Sequence, residues 1–180
     1  MRTPYHWIAI LIFTILTGCT GMPERVTPVE NFQLNRYLGT WYEIARLDHR
    51  FERGLTQVSA TYSLNDDGSV KVINKGFNHD DNEWKEAEGK AKFVNSPDIG
   101  HLKVSFFGPF YGSYVIFFLE TDYSTALVSG YNTDYFWILS RHPQLDHRQI
   151  ETYKAIARQA GFNTNKLIFP ATSDLIANEQ

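Results

Sequence analysis

The side chains of this 180-residue chain that could do chemistry are few and are not grouped for catalysis. Six histidines are present, but His49, His79, His101, His142 and His147 lack ligand-like partners at metal-binding spacing, and one cysteine cannot complete a zinc set. They read as surface or turn residues, and no metal or other cofactor is expected. Ser129 precedes Gly130 without the earlier glycine of a nucleophile elbow, so no triad can be assembled. Glu43 or Asp122 acting as a base would be the enzymatic alternative. With no nucleophile or paired carboxylates to serve, no catalytic residue is assigned and the chain reads as a binding protein. The remaining reactive group is the lone thiol, Cys19.

Cys19 ends the sequence Leu16-Thr17-Gly18-Cys19, which closes the apolar run WIAILIFTIL from Trp7 to Leu16, with Arg2 before it. That run is about half the length needed to cross a ~30 Å hydrocarbon core, which suits a signal peptide better than a transmembrane helix. A buried terminal element with a chance LTGC is the competing reading. The tetrapeptide resembles the lipobox of bacterial lipoproteins. The resemblance implies a signal peptide over residues 1–18, removed to leave Cys19 with an S-diacylglyceryl and an N-palmitoyl group. Thr20, where an Asp would favour retention at the inner membrane, points to the outer membrane, with the domain facing the periplasm. Each buried methylene contributes about 0.8 kcal/mol, and stable anchoring takes more than one chain, which a triacylated cysteine supplies.

Removal of residues 1–18 leaves 162 residues, enough for one domain with a sizeable core. With no cysteine pair, stability must come from burial and sheet hydrogen bonds. The formal charge is −3, and no basic patch or like-charge run appears, so nucleic acid is excluded as a partner. Aromatic residues are 15% of the chain and fall in strand-like segments, where they can wall a wide apolar surface.

Residues 19–34 read as a lipidated N-terminus and extended tether, because 22–31 is polar, carries Pro23 and Pro28, and has no period. Short alternating segments follow over 41–47, 57–64, 70–77, 84–94, 101–107, 113–121, 126–131 and 135–140. Turn chemistry separates many of them, as in Asn65-Asp66-Asp67-Gly68 and Asn95-Ser96-Pro97-Asp98. Eight strands joined by hairpin-length loops make an antiparallel meander, which removes its edges by closing into an up-and-down β-barrel. One helix is predicted after it, with Asp146 as N-cap, Ile150, Tyr153, Ile156, Ala157 and Ala160 as its apolar stripe, and Gly161 as its stop. Its single stripe places it outside the barrel. A short strand over 166–169 ends at Pro170, the domain spans 35–172, and 173–180 form a loose tail.

Gly39-Thr40-Trp41-Tyr42-Glu43 matches the G-x-W signature of the lipocalins, Thr121-Asp122-Tyr123 their second motif, and Ile138-Leu139-Ser140-Arg141-His142-Pro143 resembles the third. The three occur in order at strand positions of an eight-strand meander, and the resemblance covers nearly all of the chain after residue 18. The stretches YLGTWYEIARLDHRFERGL and LKVSFFGPFYG resemble the bacterial lipoprotein branch of the family, and next to it the apolipoprotein D branch. The resemblance implies an all-β fold, an eight-stranded antiparallel barrel with one C-terminal helix packed outside. Gly39, Trp41, Thr121, Asp122, Tyr123 and Arg141 are assigned to the fold, with Trp41 closing one end of the barrel beneath the Arg141 guanidinium.

The interior is expected to hold the ligand. With Trp41 inward, period two puts Glu43 and Ala45 on the same face, and Glu120 is the only other acid there. Register against the family gives the candidate lining as Ala60, Tyr62, Val72, Asn74, Gly89, Ala91, Phe93, Val104, Phe106, Tyr114, Ile116, Phe118, Val128, Tyr135 and Trp137. Small residues on several strands leave volume; the alternative is that the aromatics fill the barrel. No lysine or arginine falls in these sets. A lysophospholipid with its headgroup at the mouth is therefore the preferred ligand, and a free fatty acid the second, carried or stored in the envelope, with a role in membrane maintenance under stress. The run Phe106–Tyr111 suggests membrane contact or a dimer interface, with local packing of a wide turn as the alternative. The resemblance leaves a homodimer open.

Overall fold

The computed structural model describes residues 20–170. Cys19, residues 1–18 and the tail beyond Pro170 lie outside them. Eight strands form the barrel: β1 (Gly39–Leu47), β2 (Leu55–Leu64), β3 (Val70–Asn78), β4 (Glu83–Phe93), β5 (His101–Phe107), β6 (Phe110–Leu119), β7 (Thr125–Ser129) and β8 (Phe136–Ser140). Each pairs antiparallel with its neighbours in sequence. Closure comes from β1, whose first half pairs with β2 (Trp41 opposite Ala60) and whose second half pairs with β8 (Glu43 opposite Leu139). A two-residue strand, β9 (Leu167–Ile168), extends the sheet at Arg46 and Leu47. The fold is the closed eight-stranded antiparallel barrel expected from the sequence.

A short helix, α1 (Leu34–Tyr37), precedes β1, and α2 (His147–Gln159) packs outside. The Asp146 carboxylate accepts from the Gln149 backbone N–H at 2.8 Å, and the Gln149 side chain accepts from the Asp146 N–H at 3.2 Å. This reciprocal cap is worth about 1 kcal/mol. Gly161, at φ +97°, takes the left-handed conformation that stops the helix. Tyr153, Ala157 and Ala160 bury the inner face of α2 against Ile44, Val115, Leu127, Phe136 and Ile138. The described residues thus form two apolar cores, one between helix and barrel and one inside the barrel around Trp41, Tyr37, Tyr62, Ile116 and Val128.

Two bulges change the inside–outside alternation. In β1 the pairing passes from Glu43–Leu139 to Ala45–Ile138, so Ile44 is extra and both Ile44 and Ala45 face the outer core. Ala45, expected inward, is outside. Arg46, expected outside, is buried instead. In β6 the pairing passes from Ile116–Val128 to Phe118–Leu127, leaving Phe117 extra and turning Phe118 outward onto Tyr153, 5.8 Å between ring centroids. Glu120 also faces outward, accepting from the Tyr153 hydroxyl at 3.0 Å.

The segment before α1 departs from an extended tether. Val26 and Phe32 are buried, and Val29 donates to Ile116 O and accepts from Gly100 N. Two single apolar residues and a few backbone bonds fasten this polar stretch across the barrel.

Candidate ligand-binding cavity

Alternate loops define the two ends of the barrel. Helix α1 and the β2–β3, β4–β5 and β6–β7 turns lie at one end; the β1–β2, β3–β4, β5–β6 and β7–β8 turns lie at the other.

The first end is closed. Trp41 is fully buried and its indole N–H donates to Tyr37 O at 2.8 Å. The Arg141 guanidinium carbon lies 4.1 Å from the indole centroid, and its nitrogens donate to the carbonyls of Thr40, Arg36 and Leu38, each at 2.8 Å. Gly39 sits beside it: a Cβ there would lie 3.4 Å from an Arg141 nitrogen. Arg36 stacks on Tyr123 at 4.1 Å and donates to Thr121 O, while the Tyr123 hydroxyl accepts from Gln33 N. Asp122 accepts from the Ser124 N–H, and its bonds to Ser124 lower its pKa. The six residues assigned to the fold thus meet around one closed end.

Between the ends lies an apolar cavity of about 120 Å³. Of the predicted lining, Ala60, Tyr62, Val72, Asn74, Ala91, Val104, Phe106, Tyr114 and Trp137 border it. Phe93, Ile116 and Val128 pack within the inner core instead. Gly89 faces the Phe106 ring, which stands where a Cβ would lie, at 2.8 Å. Tyr135 belongs to the rim, against Gly130 and in ring contact with His49, Tyr131 and Trp137. Phe118 is outside, for the bulge already described. The cavity is smaller than the ~300–1,000 Å³ usual for small-molecule pockets, so the interior aromatics fill much of the barrel. Among the described residues Asn74 Oδ1, buried beside the cavity, has no hydrogen-bond partner.

Reasoning from the sequence did not anticipate Phe32, Leu34 and Tyr37, which reach the cavity from the N-terminal segment, nor Glu52. An isolated Phe32 in a polar stretch was the only available signal.

Toward the open end a buried charged cluster includes Arg46, where no inward lysine or arginine was expected. Arg46 donates to Glu43 Oε1 at 2.6 Å, to Glu52 O at 2.7 Å and to Leu55 O at 3.3 Å. Trp137 Nε1 donates to Glu52 Oε2 at 3.0 Å, and His49 Nε2 lies 3.0 Å from the same oxygen. Burial, then the neighbouring Glu52, raises the Glu43 pKa well above the ordinary value. Burial works against the Glu52 charge too, but the bonds from His49 and Trp137 prevail and lower its pKa. His49 and His101 are therefore buried rather than surface residues; His101 bonds Ser113 Oγ at 3.0 Å, and burial lowers its pKa. Beyond the cluster, Phe51, Trp84, Phe107, Phe110 and Tyr131 are exposed around the same end. Phe107 and Phe110 are 73% and 75% exposed, which excludes local packing of the turn as their role; Phe106 alone turns inward.

Residues 32–172 match the family model described as a lipocalin-like domain. The chain belongs to the lipocalins. It is 55% identical over 161 residues to the outer membrane lipoprotein Blc of Vibrio cholerae, covering 89% of this chain and 94% of that one. It is 54% identical over 162 residues to the protein of the same name from Escherichia coli, covering 89% and 92%. Among solved structures, insecticyanin from the tobacco hornworm Manduca sexta superposes with a TM-score of 0.66 at 20% identity, covering 86% of this chain and 88% of that one. That likeness shows the fold alone.

Proposed function

We propose that this lipocalin is a lipid-anchored binding protein of the outer membrane, facing the periplasm, which stores or transports single-chain lipids. The observation that carries the reading is the closed-bottomed apolar cavity, with charge confined to the opposite end. Similarity to outer membrane lipoproteins supports acylation of Cys19 and that location. The exposed aromatics around the open end suit exchange with a lipid surface. Since Glu43 and Glu52 border the cavity and both terminal nitrogens of Arg46 already have partners, a free carboxylate gains little at that end. A lysophospholipid with its phosphate outside the mouth fits better there. Burying sixteen carbons yields about 12 kcal/mol gross, and association costs of about 4–15 kcal/mol bring binding to the micromolar range.

Native mass spectrometry of the delipidated protein, released from detergent after addition of lysophospholipid or fatty acid, tests this. A one-to-one adduct that is lost in Ala91→Leu supports the reading, and no adduct with either lipid refutes it. The N-terminal peptide from intact cells should carry acyl mass on Cys19; an unmodified thiol refutes the anchor.

A further inference from the structure

At the closed end of the cavity three tyrosines form a chain of hydroxyls. Tyr37 and Tyr62 each lie 2.8 Å, oxygen to oxygen, from the Tyr114 hydroxyl, and all three rings border the cavity. Burial, the largest effect in each case, raises all three pKa values, so each hydroxyl keeps its proton. Three hydroxyls bring three protons, and two bonds use two of them. One O–H is therefore left over whichever way the chain is oriented, and among the described residues no acceptor takes it. Tyr37 and Tyr62 are at least nine-tenths buried, so bulk water does not satisfy a proton left on either of them, and a proton left on the partly buried Tyr114 borders the cavity. A buried donor left unpaired is costly. An alkyl terminus against these hydroxyls would leave that cost in place.

We infer that the tyrosine chain is a polar subsite at the base of the cavity, donating its third proton to an acceptor oxygen on the leading end of the ligand. The inference rests on the lipid-binding reading and specifies the ligand further. Two sources share this chemistry: the carboxyl of a fatty acid entering head-first, and an acyl tail oxygenated at its far end. Because every one or two of the three hydroxyls still leave at least one proton over, single substitutions do not remove the subsite. Tyr37→Phe/Tyr62→Phe/Tyr114→Phe does.

The test is competition in native mass spectrometry of the full-length protein. Equimolar hexadecanoyl and 16-hydroxyhexadecanoyl lysophosphatidylethanolamine are added together, and hexadecanoic acid against the plain lysophospholipid in a second sample. Wild type should favour the hydroxylated chain by about tenfold, the fatty acid against its plain competitor, or both, and the triple variant should lose each preference. A preference for the hydroxylated chain alone assigns an oxygenated tail; one for the acid alone assigns a carboxyl entering first. Near-ultraviolet difference spectra of wild type give a second readout that does not depend on the variant folding. Tyrosine absorption should shift to the red with the oxygenated ligands and not with the plain one. Equal adducts from plain and hydroxylated chains, a fatty-acid share unchanged in the triple variant, and no tyrosine shift would overturn the subsite while leaving lipid binding intact. Absence of every adduct would instead overturn the lipid-binding reading, and the subsite with it.

Discussion

The Arg141 guanidinium lies over the Trp41 indole at 4.1 Å while holding three backbone carbonyls of the segment that leads into β1. One side chain thereby fixes the ring that floors the barrel and the peptide that approaches it. Lysine could place a charge over the ring but could not hold three carbonyls with one planar fork. Arg141→Lys should therefore destabilise the protein by about 1–3 kcal/mol, combining a weaker cation–π contact with lost hydrogen bonds. Urea denaturation checks this, and a loss under 0.5 kcal/mol would mean that the carbonyls find other donors.

Glu43 gives a pH dependence with a definite sign. Its folded-state pKa is raised, first by burial and then by Glu52, so its contribution to stability is fully present below the ordinary carboxyl pKa. That contribution is lost as pH rises through the elevated folded value. Gln cannot ionise and escapes this loss, although it gives up the charged partner of Arg46. Whatever its stability at pH 5, Glu43→Gln should gain on wild type as pH rises from 5 toward 9. Thermal melts of both proteins across that range provide the measurement, and a constant difference would show an unshifted Glu43.

The bulge in β6 makes neighbouring residues behave oppositely. Ile116 belongs to the inner core, whereas Phe118 packs under Tyr153 of α2. Phe118→Ser should cost about 2–4 kcal/mol of stability and leave lipid affinity unchanged under conditions where the variant is folded. A drop in affinity without loss of stability would place Phe118 on the ligand instead.

The same bulge shows where the sequence stopped being legible. Turns such as Asn65–Gly68 announce themselves by residue type, so strand order, closure and the capped helix could be read directly. Ile44 and Phe117 carry no such mark. An extra residue in a strand has no glycine or proline to signal it when the flanking cores accept apolar side chains on both faces. Every residue beyond the bulge in β1 then changes sides relative to strict alternation, which sends Ala45 out and brings Arg46 in. The cavity was legible where the alternation is uninterrupted, as at Val72, Asn74 and Ala91, and misread at Phe118. Phe32 and Tyr37 escaped because they reach the interior from outside the strands.

Phe106 controls how much of the cavity is available. Its ring lies on Gly89, at the point where the β4–β5 pairing, which covers only Lys90–Phe93 of β4, comes to its end. A long acyl chain cannot occupy 120 Å³ without displacing something, and Phe106, a partly buried lining ring past the end of the ladder, is the side chain placed to move. Phe106→Ala should enlarge the cavity at a cost of about 1–3 kcal/mol in stability, less than for a fully enclosed ring. The variant should bind hexadecanoyl chains more tightly than wild type, with a smaller gain for dodecanoyl chains, because only the longer chain needs the added volume. Adduct ratios for the two chain lengths would show this directly, and an equal change for both would place the acyl chain away from Phe106.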